Sequence, residues 1–317
     1  MSDVKPGSDE DFERLRPKAF AVAYRMLGSV SEAEDLVQEA LLRLHRELEA
    51  GTEIDSPEAY LVTIVTRLGI DELRSARVRR ETYVGEWLPE PILTAEEDDP
   101  ARHAEIADSL SMALLVVLER LSPEQRAVFL LREVFDYPYE RIANVLGKSV
   151  DAVRKLGSRA RRQVEVGEPR FESSKEQRDR LADRFFDAFE AGNLEDLEAL
   201  LAEDVVLRGD GGGKVPALAR AVRGRVTVAR TLRSFARRLA QAPVRVRRVE
   251  VNGGPGAVLE HEGKLVSVLT LDIDGGRIRA LNGVNNPEKL AHLGPLADVT
   301  ALFGATANPG DRRLAAE

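Results

Sequence analysis

Basic side chains are concentrated between Lys148 and Arg162, where six lysines and arginines accompany a single acid, Asp151. Cations on one face of a helix bind phosphate, and a helix in the major groove reaches base edges with the side chains near its start. The pattern favours DNA binding, although a charge run alone is usually a solvated surface. The side chains predicted to contact DNA are Ser149, Asp151, Arg154, Lys155, Ser158, Arg159 and Arg162.

Helix signals surround this basic stretch. Ser122 and Gln125 form a capping box that starts one helix, and a second helix opens at Pro138 and ends at Gly147. Glycine has no Cβ, so Gly147 can adopt the left-handed conformation that terminates a helix. Ser149 then caps a third helix. This is helix-turn-helix spacing with the third helix in the recognition position, which favours DNA binding over a plain helical bundle.

Four side chains are candidates for acid–base chemistry in the C-terminal third: Asp204, Asp210, His261 and Asp272. They form no recognisable constellation, so turn and surface roles are the simpler interpretation. The chain has no cysteine, which excludes disulfides, thiolate zinc sites and cysteine nucleophiles. Its four histidines show no metal-ligand spacing. We therefore expect no catalytic residue, no metal and no cofactor.

Composition sets the broad class of the protein. A chain of 317 residues, 43% hydrophobic and 32% charged, can form two or three soluble domains. It carries no apolar run as long as a membrane span and no apolar signal core at its N-terminus, so we expect a cytoplasmic protein without membrane contact. The net charge of −8 is unusual for a DNA-binding protein. It predicts that basic residues cluster on particular faces and that the chain alone holds DNA weakly.

The N-terminal part is predicted to be helical. Residues 12–27 carry one apolar stripe, and Ser31 with Glu34 forms a capping box for a second helix. A third helix starts at Ser56-Pro57 and ends in basic residues, which are favourable at a helix C-terminus even without a ligand.

The C-terminal third changes pattern after residue 176. Helices are predicted at 180–191, 193–201 and 226–239, and strands at 204–207, 244–251, 257–261, 265–273 and 277–284. Asp274-Gly275-Gly276 is a predicted hairpin turn. The fold class expected for the whole chain is two all-α domains followed by an α+β cone.

Residues 121–162 resemble region 4 of extracytoplasmic-function (ECF) sigma factors, whose recognition helix reads the promoter −35 element. YRMLGSVSEAEDLVQEALLRLHR at 24–46 resembles region 2.2, which implies that Asp35, Gln38 and Glu39 dock on the clamp helices of core RNA polymerase. The resemblance also implies contact with the polymerase flap. AYLVTIVTRLGIDELRSARVRR at 59–80 falls where the family melts and reads the −10 element, although many members carry Trp and Asn near Tyr60 and Arg67. The implied −10 contacts are Arg67, Asp71, Arg74 and Arg77.

Three short motifs narrow the resemblance. They are WLPEP at 87–91, DGGGK at 210–214 and NPEKL at 286–290. In this order they resemble ECF41-type sigma factors, which carry a SnoaL-like domain of the NTF2 fold after region 4; Glu288 stands where aspartate is commoner. The implied interdomain regulatory residues are Trp87, Leu88, Pro89, Glu90, Pro91, Asp210, Gly211, Gly212, Gly213, Lys214, Asn286, Pro287, Glu288, Lys289 and Leu290.

The resulting hypothesis is an alternative sigma factor that binds core RNA polymerase and promoter DNA and is controlled in cis by its C-terminal domain. The alternative is a SnoaL-like enzyme or small-molecule sensor fused to a DNA-targeting region, so a small-molecule ligand of that domain is also a candidate partner. The predicted domains are region 2 at 1–82, a flexible linker at 83–105, region 4 at 106–165, a linker at 166–176, the SnoaL-like domain at 177–290 and a tail at 291–317.

Two expectations concern how the domains communicate. About two dozen extended linker residues reach roughly 80 Å, whereas a promoter spacer of about 16 base pairs is about 55 Å long. We expect DGGGK and NPEKL to hold WLPEP, with Lys214 and Lys289 near Glu90 and Leu290 near Trp87 or Leu88. Between Lys214 and Val249 there are eleven basic residues and no acid, which could be a solvated face, could meet the acidic residues 96–105, or could contact phosphate.

Overall fold

The computed structural model describes residues 9–94, 111–165 and 174–303, without the side chains of 9–11, 77–81 and 165. It divides into a helical unit (residues 1–81, 97–110 and 114–168) and a C-terminal unit (residues 82–96, 111–113 and 169–317). The side chain of Arg77, the acidic residues 96–105, most of the 166–176 linker and residues 304–317 lie outside this description. Within the described ranges, no helix is both long and apolar enough to span a bilayer.

The helical unit opens with α1 (Asp9–Leu27), α2 (Val30–Glu49) and α3 (Pro57–Glu81). Their contact buries an apolar stripe that includes Val22, Met26 and Leu44. The capping prediction for α2 was displaced by two residues. Gly28 ends α1 with a φ of +69°, so the next residue, Ser29, is already free to cap and its hydroxyl accepts from the Glu32 N–H at 3.2 Å.

The second half of this unit contains α4 (Met112–Leu118), whose first two residues are grouped with the C-terminal unit, α5 (Pro123–Phe129) with a π-helical turn at Leu130–Val134, α6 (Tyr139–Leu146) and α7 (Val150–Glu165). The predicted local signals are all present. Ser122 and Gln125 form both bonds of the capping box, and Gly147 ends α6 with a φ of +62°. The Ser149 hydroxyl accepts from the Ala152 N–H at 3.3 Å. These caps give the turn between α6 and α7 its helix-turn-helix form.

The C-terminal unit contains α8 (Lys175–Glu190), α9 (Leu194–Leu200), β1 (Leu201–Asp210), β2 (Val222–Arg223), α10 (Arg225–Leu239), β3 (Val244–Val251), β4 (Gly254–His261), β5 (Lys264–Asp274), β6 (Arg277–Val284), α11 (Pro287–Leu290), a 3-10 turn (Ala291–Leu293) and α12 (Val299–Phe303). The strands form one sheet in the order β2-β1-β6-β5-β4-β3. Only the β1–β6 pair in this sheet is parallel.

The core of this unit lies between the sheet and the helices α8, α9 and α10, around Phe185, Phe186 and Leu232. Two strand predictions, 244–251 and 277–284, match β3 and β6, and Gly275 and Gly276 form the predicted turn with φ values of +55° and +68°. The predicted 204–207 strand is longer at both ends, because the preceding helix stops at Leu200 and the chain continues directly into the sheet.

Residues 82–94, predicted to begin a flexible linker, are held in the C-terminal unit. Leu88 is completely buried and Glu90 is 7% exposed. Thr94 donates its N–H to the carbonyl of Glu250, the N–H of Asn252 donates to the carbonyl of Ile92, and Leu93 bridges Val251. The segment is ordered because it satisfies backbone groups next to β3, the last strand of the sheet.

Candidate functional site

The predicted recognition helix α7 separates its apolar and basic residues. Val153 and Ala160 are buried, while the predicted DNA-contacting residues on α7 are exposed. Gly157 lies in the middle of the helix because a Cβ there would press on Val128 and Tyr139 at 3.3–3.4 Å. That close approach fixes α7 against the preceding helices and directs its basic side outward.

Three cations on the exposed side of α7, namely Lys155, Arg159 and Arg162, form no ion pair with any described residue. Arg154 is different, because its guanidinium lies 3.5 Å from Glu140 and 5.8 Å from the ring centre of Tyr139. The exposed and unpaired cations provide a surface suited to phosphate, and the more constrained Arg154 is better placed for directional contact.

Two of the predicted −10 residues on α3, Arg67 and Arg74, contact the helix-turn-helix portion of the same unit. Arg67 donates from Nε to the carbonyl of Val145 at 2.8 Å and from Nη2 to the carbonyl of Asn144 at 3.2 Å. Arg74 donates to both Asp71 and Glu124 at 3.1 Å. In this conformation Nε and Nη2 of Arg67 therefore donate to backbone carbonyls at the C-terminal end of α6.

Arg126 provides a further contact, besides that of Arg67, between the two halves of the helical unit. It is 1% exposed, donates from Nε to the backbone carbonyl of Arg25 at 3.0 Å, and pairs through Nη1 with Glu119 at 2.5 Å. Sequence reasoning missed this residue. An arginine followed directly by the apolar run Ala127-Val128-Phe129 was the available signal, because a buried charge needs specific partners.

The predicted polymerase contacts lie on the outer side of α2. Asp35 and Gln38 are exposed, and Glu39 is partly exposed with a hydrogen bond from Arg43 at 2.7 Å. Leu36 and Val37, between them, are buried. The three polar side chains are thus presented on the surface by an amphipathic helix.

The three predicted regulatory motifs meet at Asp210, whose side chain is completely buried. Tyr83 donates its hydroxyl to Oδ1 at 2.5 Å, and the N–H of Leu88 donates to Oδ2 at 2.8 Å. Lys289 donates from Nζ to the same Oδ2 at 2.7 Å and also to the Leu88 carbonyl. We call Asp210, Asn286 and Lys289 the linker-binding site.

Lys289 also lies over the aromatic residues of the linker. Its ammonium is 4.0 Å from the ring centre of Trp87 and 5.0 Å from that of Tyr83. Asn286 donates from Nδ2 to the Tyr83 hydroxyl at 2.9 Å. The buried ion pair with Asp210 and the contacts with the two aromatic rings therefore favour the same position of the Lys289 ammonium.

The structure gives both lysines acidic partners that the sequence did not indicate. Lys289 pairs with Asp210, and Lys214 pairs with Glu288. The reason is that the parallel pairing of β1 with β6 brings the end of one strand, Asp210, beside the start of NPEKL, where the Asp210 carbonyl accepts from the N–H groups of residues 285 and 286.

The glycines of DGGGK permit this close packing. Gly212 and Gly213 have φ values of +60° and +70°. An added Cβ would strike Val215 at Gly211, Asn286 at Gly212 and Val84 at Gly213. Glycine is required here because both the backbone conformation and the available space exclude a side chain.

Two further contacts of the linker were not predicted. His292 lies with Nε2 2.8 Å from the carbonyl of Pro91, and the N–H of Ile92 donates to Oδ1 of the buried Asn252 at 3.1 Å. Nothing in the sequence indicated His292 or Asn252 as a linker contact, because these contacts depend on which turns of the C-terminal unit face the linker.

Comparison with known proteins follows the same division of the chain. Family models match Sigma-70 region 2 at residues 12–79, Sigma-70 region 4 at 111–164 and a SnoaL-like domain at 182–281. The ECF RNA polymerase sigma factor SigJ of Mycobacterium tuberculosis strain H37Rv is 39% identical over 290 residues, which cover 88% of this chain and 92% of SigJ. The chain belongs to the family of ECF RNA polymerase sigma factors.

Other relatives agree with this membership. The probable ECF RNA polymerase sigma factor SigI of M. tuberculosis strain H37Rv is 33% identical, over 86% of this sigma factor and 91% of SigI. The crystal structure of M. tuberculosis SigJ superposes with a TM-score of 0.74 at 36% identity, covering 92% of this chain and all of that one. The function is that of an alternative sigma factor, and the α+β unit is its SnoaL-like domain.

The acid–base candidates of this sigma factor do not converge. Asp204 pairs with Arg279 at 2.9 Å, His261 lies with Nδ1 3.0 Å from the carbonyl of Pro243, and Asp210 belongs to the linker-binding site. Asp272 accepts from Asn282 at 3.1 Å. Within the described residues, no group of three His, Asp or Glu residues is arranged to hold a metal ion.

Asp272 should make the stability of the sigma factor depend on pH. Burial raises the pKa of Asp272 from 3.8 to about 6, opposed by the hydrogen bond from Asn282, the charge of Arg208 and the N–H of Ala113. Between pH 4 and pH 6 the folded chain binds this proton and the unfolded chain does not, so stability falls as pH rises through that window. Asp272→Asn should remove roughly 2–3 kcal/mol of this dependence. Urea denaturation at pH 4.5 and pH 7.5 measures this difference in the free energy of unfolding. If the free energy of unfolding changes equally between the two pH values in the wild type and in Asp272→Asn, the assignment is contradicted.

The acid-free stretch 214–249 is partly neutralised by acids elsewhere in the C-terminal unit. Arg225 pairs with Glu203, Arg247 with Glu260, and Arg248 with three acids on α8. The pKa of Arg248 is raised by its hydrogen bonds to those acids, led by Asp187. Seven arginines have no acidic partner among the described residues: Arg220, Arg223, Arg230, Arg233, Arg237, Arg238 and Arg245.

Proposed function

We propose that this sigma factor binds core RNA polymerase and promoter DNA through its helical unit, and that the C-terminal unit controls this activity in cis by holding residues 83–94. The observation that carries the proposal is the buried contact of Asp210 and Lys289 with the backbone of Leu88. Holding this segment fixes half of the connection between regions 2 and 4. The rest of the predicted linker, residues 95–105, spans about 37 Å at full extension.

The helical unit supports the same proposal. Region 2 and region 4 contact each other through Arg67 and Arg126, whereas promoter elements separated by about 16 base pairs are about 55 Å apart. The two regions must separate to read both elements. A held linker opposes separation, so release of the linker raises promoter activity.

Transcription from promoter fragments by purified core polymerase tests the function. Core polymerase supplemented with the full chain should initiate at particular promoters, and Asp210→Asn should increase the yield. Failure of both proteins to support initiation would overturn the sigma assignment. A SnoaL-like enzyme is not favoured, because none of the four acid–base candidates lines the cavity of about 850 Å³ in the C-terminal unit, and Asp272 lines only a pocket of about 30 Å³.

Region 4 should divide base reading from phosphate binding. Arg154 lies near the start of α7 and Arg162 near its end, so Arg154→Ala should cost about 1–3 kcal/mol and relax preference at one −35 position. Arg162→Ala should weaken all promoters equally and reduce the salt dependence of binding by about one charge. A panel of −35 variants measures both. Identical behaviour of the two variants would contradict this orientation of α7.

Core binding should depend on the exposed side of α2. We expect the double variant Asp35→Ala, Glu39→Ala to bind core polymerase at least several-fold more weakly while unfolding at nearly the same temperature, because exposed helix positions contribute little to stability. Glu47→Ala, on the same helix and outside the predicted contact, is the matched control. A pull-down in which the double variant binds like the control would remove the assignment.

A further inference from the structure

The C-terminal unit contains a cavity of about 850 Å³ that the linker does not occupy. Its walls are apolar side chains of α10, such as Leu232 and Phe235, and of the sheet, such as Leu207, Leu259 and Leu269. Small-molecule sites in proteins have volumes of about 300–1,000 Å³ and are mostly apolar. The volume and the lining therefore suit an apolar organic molecule.

The polar groups of the cavity limit the chemistry of that molecule. Ser267 donates to Oδ1 of Asn285 at 2.6 Å, and Asn285 donates from Nδ2 to the carbonyl of Pro216 at 3.3 Å, so these groups largely satisfy each other. Arg238 also lines the cavity, is exposed, and forms no ion pair with a described residue. The other cation of the lining, Arg208, donates to Oδ1 of Asn282 at 3.1 Å. Arg238 beside an apolar volume therefore fits a ligand with an apolar body and a single anionic group.

The cavity and the linker-binding site are built on the same backbone. Gly209 lines the cavity and Asp210 follows it on β1; Asn285 lines the cavity and Asn286 follows it after β6. The two pairs are joined directly, because the Asp210 carbonyl accepts from the N–H of Asn285 at 2.7 Å and of Asn286 at 2.9 Å. A shift of the cavity wall here moves the atoms that hold Tyr83 and Leu88.

A loop of residues 211–221, which we call the wall loop, provides a second connection. Its Leu218 lines the cavity, and a Cβ built on Gly85 of the linker would lie 4.0 Å from the Leu218 carbonyl. The N–H of Ala221 donates to Oε1 of Glu86 at 3.3 Å. One face of this loop thus contacts the cavity and the other contacts the linker.

We infer that the cavity is an effector site for an apolar monoanion, such as a medium-chain carboxylate, and that the bound ligand strengthens the hold on residues 83–94. We expect this sign because Leu218 lines the cavity while the same loop contacts Gly85 and Glu86, so a ligand packed against Leu218 favours the linker-holding position of the loop. Linkage makes the effect reciprocal, so a held linker also tightens ligand binding. This inference rests on the proposed control of activity by the linker.

Binding is tested on the full chain with dodecanoate and, as its uncharged counterpart, dodecanol, each displacing the fluorescent anion 1-anilinonaphthalene-8-sulfonate. Arg238→Gln should weaken dodecanoate about five- to tenfold and leave dodecanol unchanged. Arg237→Gln, an exposed neighbour that does not line the cavity, is the matched control. Thr231→Phe should fill the cavity and abolish binding of both probes with an unchanged circular dichroism spectrum. Binding that survives Thr231→Phe overturns the site.

Coupling is tested by hydrogen exchange of the Leu88 amide, which bonds to Asp210. Saturating dodecanoate should slow its exchange at least threefold in the wild type, and Leu218→Ala should bind dodecanoate with less slowing. Exchange that is unchanged or faster with ligand overturns the inference. Asp210→Asn separates the two proposals: if it speeds exchange while dodecanoate has no effect, control by the linker stands and the effector site fails; if it leaves exchange unchanged, control by the linker fails.

Discussion

Asp210→Asn should release the linker and shift the emission of Trp87, the only tryptophan, toward that of a solvent-exposed indole. The substitution removes the charge that compensates Lys289, which is 6% exposed, and breaking a buried ion pair costs about 3–5 kcal/mol. The same change should raise promoter-dependent transcription. Steady-state fluorescence and a transcription assay measure the two effects.

Lys214→Met is the matched control, because Lys214 belongs to the same motif but pairs with the exposed Glu288. Exposed pairs contribute about 0–1 kcal/mol, so this variant should keep the wild-type spectrum. Lys289→Met should behave like Asp210→Asn. An emission spectrum that Asp210→Asn and Lys289→Met both leave unchanged would refute control through this site.

Arg126→Met should separate region 2 from region 4 in the free protein. The change removes the hydrogen bond to the Arg25 carbonyl and the ion pair with Glu119, with an expected cost of about 2–4 kcal/mol. The chain has no native cysteine, so labels can be placed at Leu42→Cys on α2 and Gln163→Cys on α7, both exposed. The distance between the two labels should lengthen and broaden.

Arg74→Gln is the control for the contact between regions 2 and 4. Arg74 pairs with Glu124 from an exposed position, so this ion pair should contribute about 1 kcal/mol or less to stability. A free energy of unfolding measured in parallel distinguishes separation of the regions from loss of the fold. If Arg126→Met lowers stability while the label distance stays at the wild-type value, Arg126 supports the fold of α5 and does not join the regions.

Most local signals were predictable from the sequence, apart from the cap of α2 at Ser29, and long-range pairing was not. The capping box at Ser122 and the helix end at Gly147 depend on neighbours within four residues, so residue types alone determine them. The partner of Lys289 depends on the register of β1 against β6, which no residue within NPEKL encodes. Charge matching suggested Glu90, and strand pairing added Asp210, which the sequence did not indicate as a partner.

The backbone contacts of the linker were also not predictable from the sequence. Its prolines correctly excluded a helix over residues 82–94, the part of the linker that the structure describes, but composition gave no sign that residues 92–94 would bond to the backbone beside β3. Sheet edges accept an added segment through main-chain groups, which have no sequence preference of their own. The motifs WLPEP, DGGGK and NPEKL indicated which segments are brought together, and the structure supplied the atoms that join them.

Because the chain is synthesised from its N-terminus, the linker-binding site is completed later than the linker that it holds. Residues 83–94 leave the ribosome early, whereas the β6 strand and Lys289 that complete their anchor follow about 200 residues later. At a bacterial elongation rate of about 5–20 residues per second, the gap is on the order of 10–40 s. Regions 2 and 4 are therefore complete, and free of this restraint, while the nascent chain is still being translated. Restraint of each molecule begins only when translation of its last strand is finished.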